Sequence, residues 1–226
     1  MIPRSHVITV LVLVAATVVA SLVAYPRLPD PAPIHWNIHG QIDGWGPRWV
    51  AAWLGTGCAV FVAALLLILP RLGPLTENFA KFGRTYGRIA VAVTLLMAML
   101  HGTILLAACG HDVRMGTTLT VIIGVFYALL GNWMGKVRRN FYVGIRTPWT
   151  LASEAVWDRT HRVGGRVMLA AGLLVAVTGL FASDLVCFIV LMVGICGSAL
   201  WAVLYSLYLY RHLGGPDDLA AGSRKP

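Results

Sequence analysis

Charged side chains fall along this chain in bursts, and the stretches between the bursts are long and apolar. Runs free of Asp, Glu, Lys and Arg occupy residues 5–26, 49–70, 89–111, 115–135, 167–183 and 185–210. A helix needs about 20 mostly apolar residues to cross the hydrocarbon core, within a range of about 17–25, and each run fits. The last two are separated by Asp184 alone and are together too long for one span, so Ser183 and Asp184 are expected to form a tight surface turn. The pattern predicts an all-α polytopic membrane protein with six transmembrane helices.

Composition agrees. Hydrophobic residues make up 58% of the 226 positions and charged residues only 12%, against about a quarter charged in a soluble domain. The net charge of +9 would point to nucleic acid in a soluble protein. Its distribution gives another reading. If the N-terminus is inside, fifteen of the 18 Lys and Arg lie in inner segments, and only Arg27, Arg48 and Arg114 lie outside. The positive-inside rule therefore sets both termini in the cytoplasm, and no direct nucleic-acid partner is needed to explain the charge.

The first run has a basic start and the small residues Ala20, Ser21 and Ala24 near its end, as a signal peptide does. Its apolar core exceeds the usual length of about 7–15 residues, which favours a retained span. Pro26, Pro29, Pro31 and Pro33 oppose helix beyond it and favour extended chain. The cysteines Cys58, Cys109, Cys187 and Cys196 form no CxxC pair, and Cys109 and Cys187 should both lie near the outer surface.

Three regions stand out against the apolar background. The outer loop, residues 26–48, carries His35, Trp36, Asn37, His39 and Asp43. On a helix His35 and His39 would share a face, and two imidazoles with a carboxylate are a conceivable zinc set. Gly40, Gly44 and Gly46 instead favour turns, Asn37 and Asp43 suit local turn bonding, and Trp36, Trp45 and Trp49 suit interfacial anchoring. A folded cap without metal or cofactor is the expectation.

The inner loop between the fourth and fifth runs is the most basic. Gly144, Thr147 and Pro148 interrupt residues 140–151, which should not be helical. Ser153 followed by Glu154 is an acceptable helix start. Residues 154–161 read as a short amphipathic helix with Trp157 in the headgroup region. Such a loop either rests on anionic lipid or docks a cytoplasmic partner. Gly144 and Pro148 constrain the backbone around Arg146 and Trp149, whereas Lys136, Arg138 and Arg139 look like ordinary inner anchors.

The third region lies within the membrane. His101 falls near the middle of the third run and should face the bundle interior with a partner, either a backbone carbonyl or Thr103. Asn132 is a weaker case of the same kind. Gly131 and Gly135 form a GxxxG, which permits close helix approach. No GxSxG, HExxH, Walker A or helix-opening GxGxxG is present. An enzyme or transporter reading would require His35, His39, Asp43, His111 and Asp112 to converge at the outer face.

The two loops also resemble a known family. Asn140, Phe141, Gly144, Ile145, Arg146, Thr147, Pro148, Trp149, Thr150 and Leu151, followed by Glu154, Trp157, Thr160, His161 and Gly164, look like the signature of the SdpI family of bacterial immunity proteins. Leu28, Pro29, Pro33, His35, Trp36, Gly40, Asp43 and Gly44 look like the domain of unknown function usually found at that family's N-terminus; His39 is outside the pattern. The resemblance implies a plasma-membrane protein, not an enzyme, that confers resistance to a secreted antimicrobial peptide. In the best-known operon arrangement it also implies signalling, by holding a small cytoplasmic repressor at the membrane. Partner-binding positions follow: Asn140, Gly144, Arg146, Thr147, Pro148, Trp149, Trp157 and His161 inside, and His35, Trp36, Asn37 and Asp43 outside. The expected division is 1–70 for two spans and the outer loop, 71–135 for the next two, and 136–226 for the basic loop, two spans and a tail, all within one bundle.

Overall fold

A computed structural model describes residues 2–72 and 76–213. The C-terminal tail, with Arg224 and Lys225 of the charge asymmetry, lies outside the described residues.

Six helices are long and apolar enough to cross a bilayer. They are α1 (Arg4–Ala24), α2 (Arg48–Ile68), α3 (Thr76–Ala108), α4 (Met115–Met134), α6 (Glu154–Phe181) and α7 (Asp184–Leu213). A one-turn helix, α5 (Pro148–Ala152), precedes α6. The chain is a multi-pass membrane protein, and "inner" and "outer" below follow its Lys and Arg asymmetry. The turn expected at Ser183–Asp184 is present: α6 ends at Phe181 and α7 begins at Asp184.

Two departures concern where helices begin. The third span extends inward to Thr76, past a kink at Phe82 whose backbone leaves helical geometry (φ −131°, ψ 20°). The segment expected to be a separate amphipathic helix, 154–161, is the first two turns of α6 and is continuous with the span. The charges on Arg159, Arg162 and Arg166 ended the apolar run early, but they do not end the helix.

The helices pack as two groups of three. In the first, α1, α2 and α3 are mutual neighbours; in the second, α4, α6 and α7 are. The third and fourth spans are neighbours, and the two groups meet along this α3–α4 seam. An inner core of Phe79, Phe82 and Tyr86 from α3 with Met134, Val137, Trp157 and Met168 closes that seam on the basic side.

The α4–α6 seam is the closest, and glycine makes it so. Gly124 and Gly131 on α4, and Gly165 and Gly172 on α6, face the opposite backbone. A Cβ on Gly131 would lie 2.4 Å from Leu169 N, and one on Gly172 would lie 2.3 Å from Ala128 N. Gly131 thus does what the GxxxG predicted. Gly135, the second glycine of that motif, has only Arg162 Cα at an ordinary 3.6 Å.

Residues 26–48 are not purely loop and turn. β1 (Ala32–Trp36) and β2 (Ile42–Gly46) pair antiparallel, an addition to the all-helical expectation. The prolines act as expected: after a short 3₁₀ turn at Tyr25–Arg27 the chain is extended. Gly44 and Gly46 lie in β2 rather than in turns; only Gly40 turns the chain, at φ +73°.

Candidate functional site

The outer hairpin is built around Asn37. Its side-chain Oδ1 accepts from the backbone N–H of His39 (2.9 Å) and of Gln41 (3.1 Å), while its own N–H donates to the Gln41 carbonyl at 2.8 Å. One side chain therefore satisfies the tip, the local bonding that Asn performs well. On the strands, His35 Nδ1 and Asp43 Oδ1 lie 2.5 Å apart, a cross-strand bond in place of the turn bond expected of Asp43. Gly44 stands opposite His35, and a Cβ there would come within 2.7 Å of His35 Cβ. The helical face shared by His35 and His39 does not form, because the segment is a strand and a turn. Among the described residues no three His, Cys, Asp or Glu side chains gather as a metal set.

The hairpin leans over the outer ends of α4 and α7. His35, Trp36, Asn37, Ile38 and Asp43 form the upper wall of a pocket of about 490 Å³. Met115, Leu119 and Ile123 of α4 and Phe188 and Leu191 of α7 form its apolar lower wall. Asp184 lies at the rim, with Oδ1 sealed from solvent and without a hydrogen-bond partner among the described residues. Its carboxylate lies against Gly40 and Gly116, where a Cβ would approach Oδ2 and Oδ1 to 2.4 and 2.6 Å. Both α4 and α7 begin here, so their positive ends favour an anion at this position. All four outer residues named from sequence thus share one pocket. Asp184, read from sequence only as a turn residue, joins them.

The convergence required by an enzyme is not found. His111 lines a different recess, with Arg27 and Cys109. His101 is buried, and its Nε2 lies 2.8 Å from Ser21 Oγ and 3.1 Å from Thr56 Oγ1, themselves 2.7 Å apart. Its partners come from α1 and α2, not from Thr103, which bonds to the Met99 carbonyl instead. A Ser–His contact suggests hydrolase chemistry, but Ser21 and His101 line none of the pockets described here, and Ser21 is fully buried. The cluster is a polar knot tying three helices. All four cysteines are free.

The inner loop is anchored in the interior by a few buried side chains. Asn140 is completely buried and uses its whole amide: Nδ2 donates to the carbonyls of Arg138 (2.8 Å) and Val143 (2.9 Å), and Oδ1 accepts from the N–H groups of Tyr142 and Val143 (2.8 Å each). Trp157 is also fully buried and donates from Nε1 to the Val137 carbonyl at 2.8 Å. His161 stacks on its ring at 3.9 Å between centroids. His161 Nδ1 donates to the Trp157 carbonyl and Nε2 accepts from the Ile145 N–H, which fixes a neutral tautomer. Gly144 (φ +123°) passes so close that a Cβ would sit 2.4 Å from His161 Nε2.

Thr147 caps α5 reciprocally with Thr150, whose hydroxyl also reaches the Ile145 carbonyl at 2.8 Å. The Thr147 hydroxyl lies 3.1 Å from Ser206 Oγ on α7. Residues 148–152 are therefore helical, contrary to expectation, because Pro148 occupies the first helical position where its missing N–H costs nothing. Ser153 caps α6 as expected, accepting from Val156 N.

Of the positions expected to bind a partner, Asn140, Thr147, Trp157 and His161 point into the fold. Their polar atoms are committed within the chain and their side chains are buried. Trp157 lies in the protein core, not among headgroups, because the helix carrying it is the start of α6. Arg146, Pro148 and Phe141 remain exposed and Trp149 is half-buried. Arg146 donates from Nη1 to the Phe141 carbonyl. The loop also bridges the two helix groups: Asn78 Nδ2 donates to the Arg139 carbonyl at 2.9 Å, and the Tyr142 hydroxyl to that of Leu72. Arg138 has an exposed ionic partner in Asp158 at 3.6 Å.

Residues 136–206 match the SdpI/YfhL protein family, and residues 12–60 match a domain of unknown function, DUF1648. The chain is 24% identical over 215 residues to the immunity protein SdpI of Bacillus subtilis (strain 168), covering 94% of this chain and 99% of that one. No solved structure matches it.

Proposed function

We propose that this chain, which carries an SdpI/YfhL family segment behind a DUF1648 segment, is a membrane immunity protein that protects its cell from a secreted antimicrobial peptide. The observation that carries the proposal is the end-to-end similarity to a protein named for immunity: both segments occur in one chain, and the match runs over nearly the whole of each protein.

The outer pocket is the surface we assign to the peptide. Its lower wall is apolar and continues into the span region, while its upper wall is polar. That suits a ligand that reaches the protein from the bilayer surface. Function here is recognition rather than turnover. For a cytoplasmic repressor the inner surface offers Phe141, Arg146, Pro148 and Trp149, whose side chains are exposed or half-buried.

The test is a challenge assay. A toxin-sensitive host expressing this chain should survive a higher dose of the secreted peptide than one carrying an empty vector. Ile38→Asp, at an exposed pocket position on the hairpin tip, should reduce protection with the protein still present in the membrane. If the wild-type chain is inserted at full level and gives no protection against peptides of this class, the immunity reading is wrong.

A further inference from the structure

We propose that the inner half of the molecule contains a binding site for one anionic phospholipid, with an acyl chain in the cavity between the two helix groups and its phosphate on Arg146. This does not rest on the immunity reading.

The cavity, of about 490 Å³, lies where α3 and α7 stand apart under the basic loop. Its sides are apolar: Ile89 and Val93 of α3, Leu130 and Met134 of α4, and Ala199 and Val203 of α7. At its deep end the only polar groups from the spans are Tyr127 and Ser198, bonded to each other at 2.8 Å, with Ser198 also donating to the Gly194 carbonyl at 2.6 Å. That end therefore asks nothing of its occupant, and a hydrocarbon tail leaves no polar group stranded. Of these wall residues Ala199 is exposed and Val203 is 39% exposed, so the cavity opens to the surface that faces lipid.

The other end is different. Arg146 lines the mouth and is exposed; its guanidinium donates to the Phe141 carbonyl. Among the described residues no carboxylate lies within ion-pair distance of it. A guanidinium has five N–H donors in a fixed fork that matches a phosphate. A ligand with one apolar chain and one phosphate completes both ends at once. A free anion would leave the apolar walls uncovered, and a zwitterionic lipid would bring its own cation to the mouth.

Native mass spectrometry of the full chain, after incubation with equal dioleoylphosphatidylglycerol and dioleoylphosphatidylcholine, tests this. One phosphatidylglycerol should be retained, preferred about tenfold, as one charge-assisted bond pair implies. Arg146→Gln should abolish the preference. Arg138→Gln, which removes the same charge from the same loop, should keep it. Ala199→Trp, at an exposed position remote from the loop, should fill the cavity and lose both lipids, so the proposal remains testable even if Arg146→Gln unfolds. Equal losses in Arg146→Gln and Arg138→Gln would reduce the effect to diffuse loop charge and overturn the proposal. So would full retention by Ala199→Trp, no lipid on the wild type, or equal competition by glycerol 3-phosphate.

Discussion

Replacing Gly172 by alanine adds one methyl group where α4 already stands. The new carbon would lie 2.3 Å from Ala128 N, 2.7 Å from the Gly124 oxygen and 2.8 Å from Ala128 Cα. Each of these neighbours is backbone, so no side chain can swing aside. Restoring ordinary contact moves α4 and α6 apart by about 1 Å, and a gap of that size forfeits up to about half of each dispersion contact along the seam. Overpacking typically costs about 1–3 kcal/mol, and two rigid backbones place Gly172→Ala at the upper end. Gly197→Ala on α7 is the control, because nothing lies within 4 Å of its added methyl. There the helix propensity of alanine should gain up to about 1 kcal/mol. Unfolding in bicelles titrated with dodecyl sulfate, followed by tryptophan fluorescence, compares the two. Opposite signs are expected. Equal signs, or a Gly172→Ala variant within about 0.5 kcal/mol of wild type, would refute the close-seam argument.

Trp157→Phe should leave the Val137 carbonyl buried without its donor and cost about 1–3 kcal/mol, measured by the same titration; no loss would mean that water reaches that carbonyl. His101→Leu should cost about 0.6 kcal/mol and at most about 1.7, the average and maximum for an interhelical hydrogen bond in a membrane, and leave toxin protection intact, whereas abolished protection in a folded variant would make the knot functional. Arg146→Lys should impair protection while Arg138→Lys does not, with both inserted, because Lys cannot copy the guanidinium fork; equal protection removes any special role for Arg146. A cysteine at Gln41, with Cys58, Cys109, Cys187 and Cys196 replaced, should react with an impermeant thiol reagent on intact cells. Labelling only after lysis would invert the topology.

The spans were legible because lipid imposes a strong and simple rule: a charge-free run of about 20 residues has few other fates. What the rule could not reach was helix that continues into water, so α6 was cut at Val167 although its first turns carry Trp157 and His161. The residues of the inner loop were legible, but their roles were not. A buried Asn and an exposed Asn read alike in a sequence, and only the four bonds of Asn140 distinguish a fold-holding residue from a partner-binding one. The hairpin was hidden for a related reason. Its strands have five residues each and include Pro33, Gly44 and Gly46, which read as breakers. The seven-residue spacing of Gly124 with Gly131, and of Gly165 with Gly172 and Gly179, is the signal by which the sequence does carry the seam.

The glycine seam also bears on how the chain is made. Of the six spans α4 is the least hydrophobic, and the seam face it would show to lipid is bare backbone. Its partner α6 ends 47 positions after α4 does, at Phe181 against Met134. At about 5–20 residues per second the ribosome needs about 2–9 s to deliver it. During that interval α4 can lie against α3, but its glycine face has no partner until α6 arrives. Residues 135–153 and α6 itself together set the length of the wait, so slowing or speeding their translation acts on the yield of inserted protein without touching the finished structure.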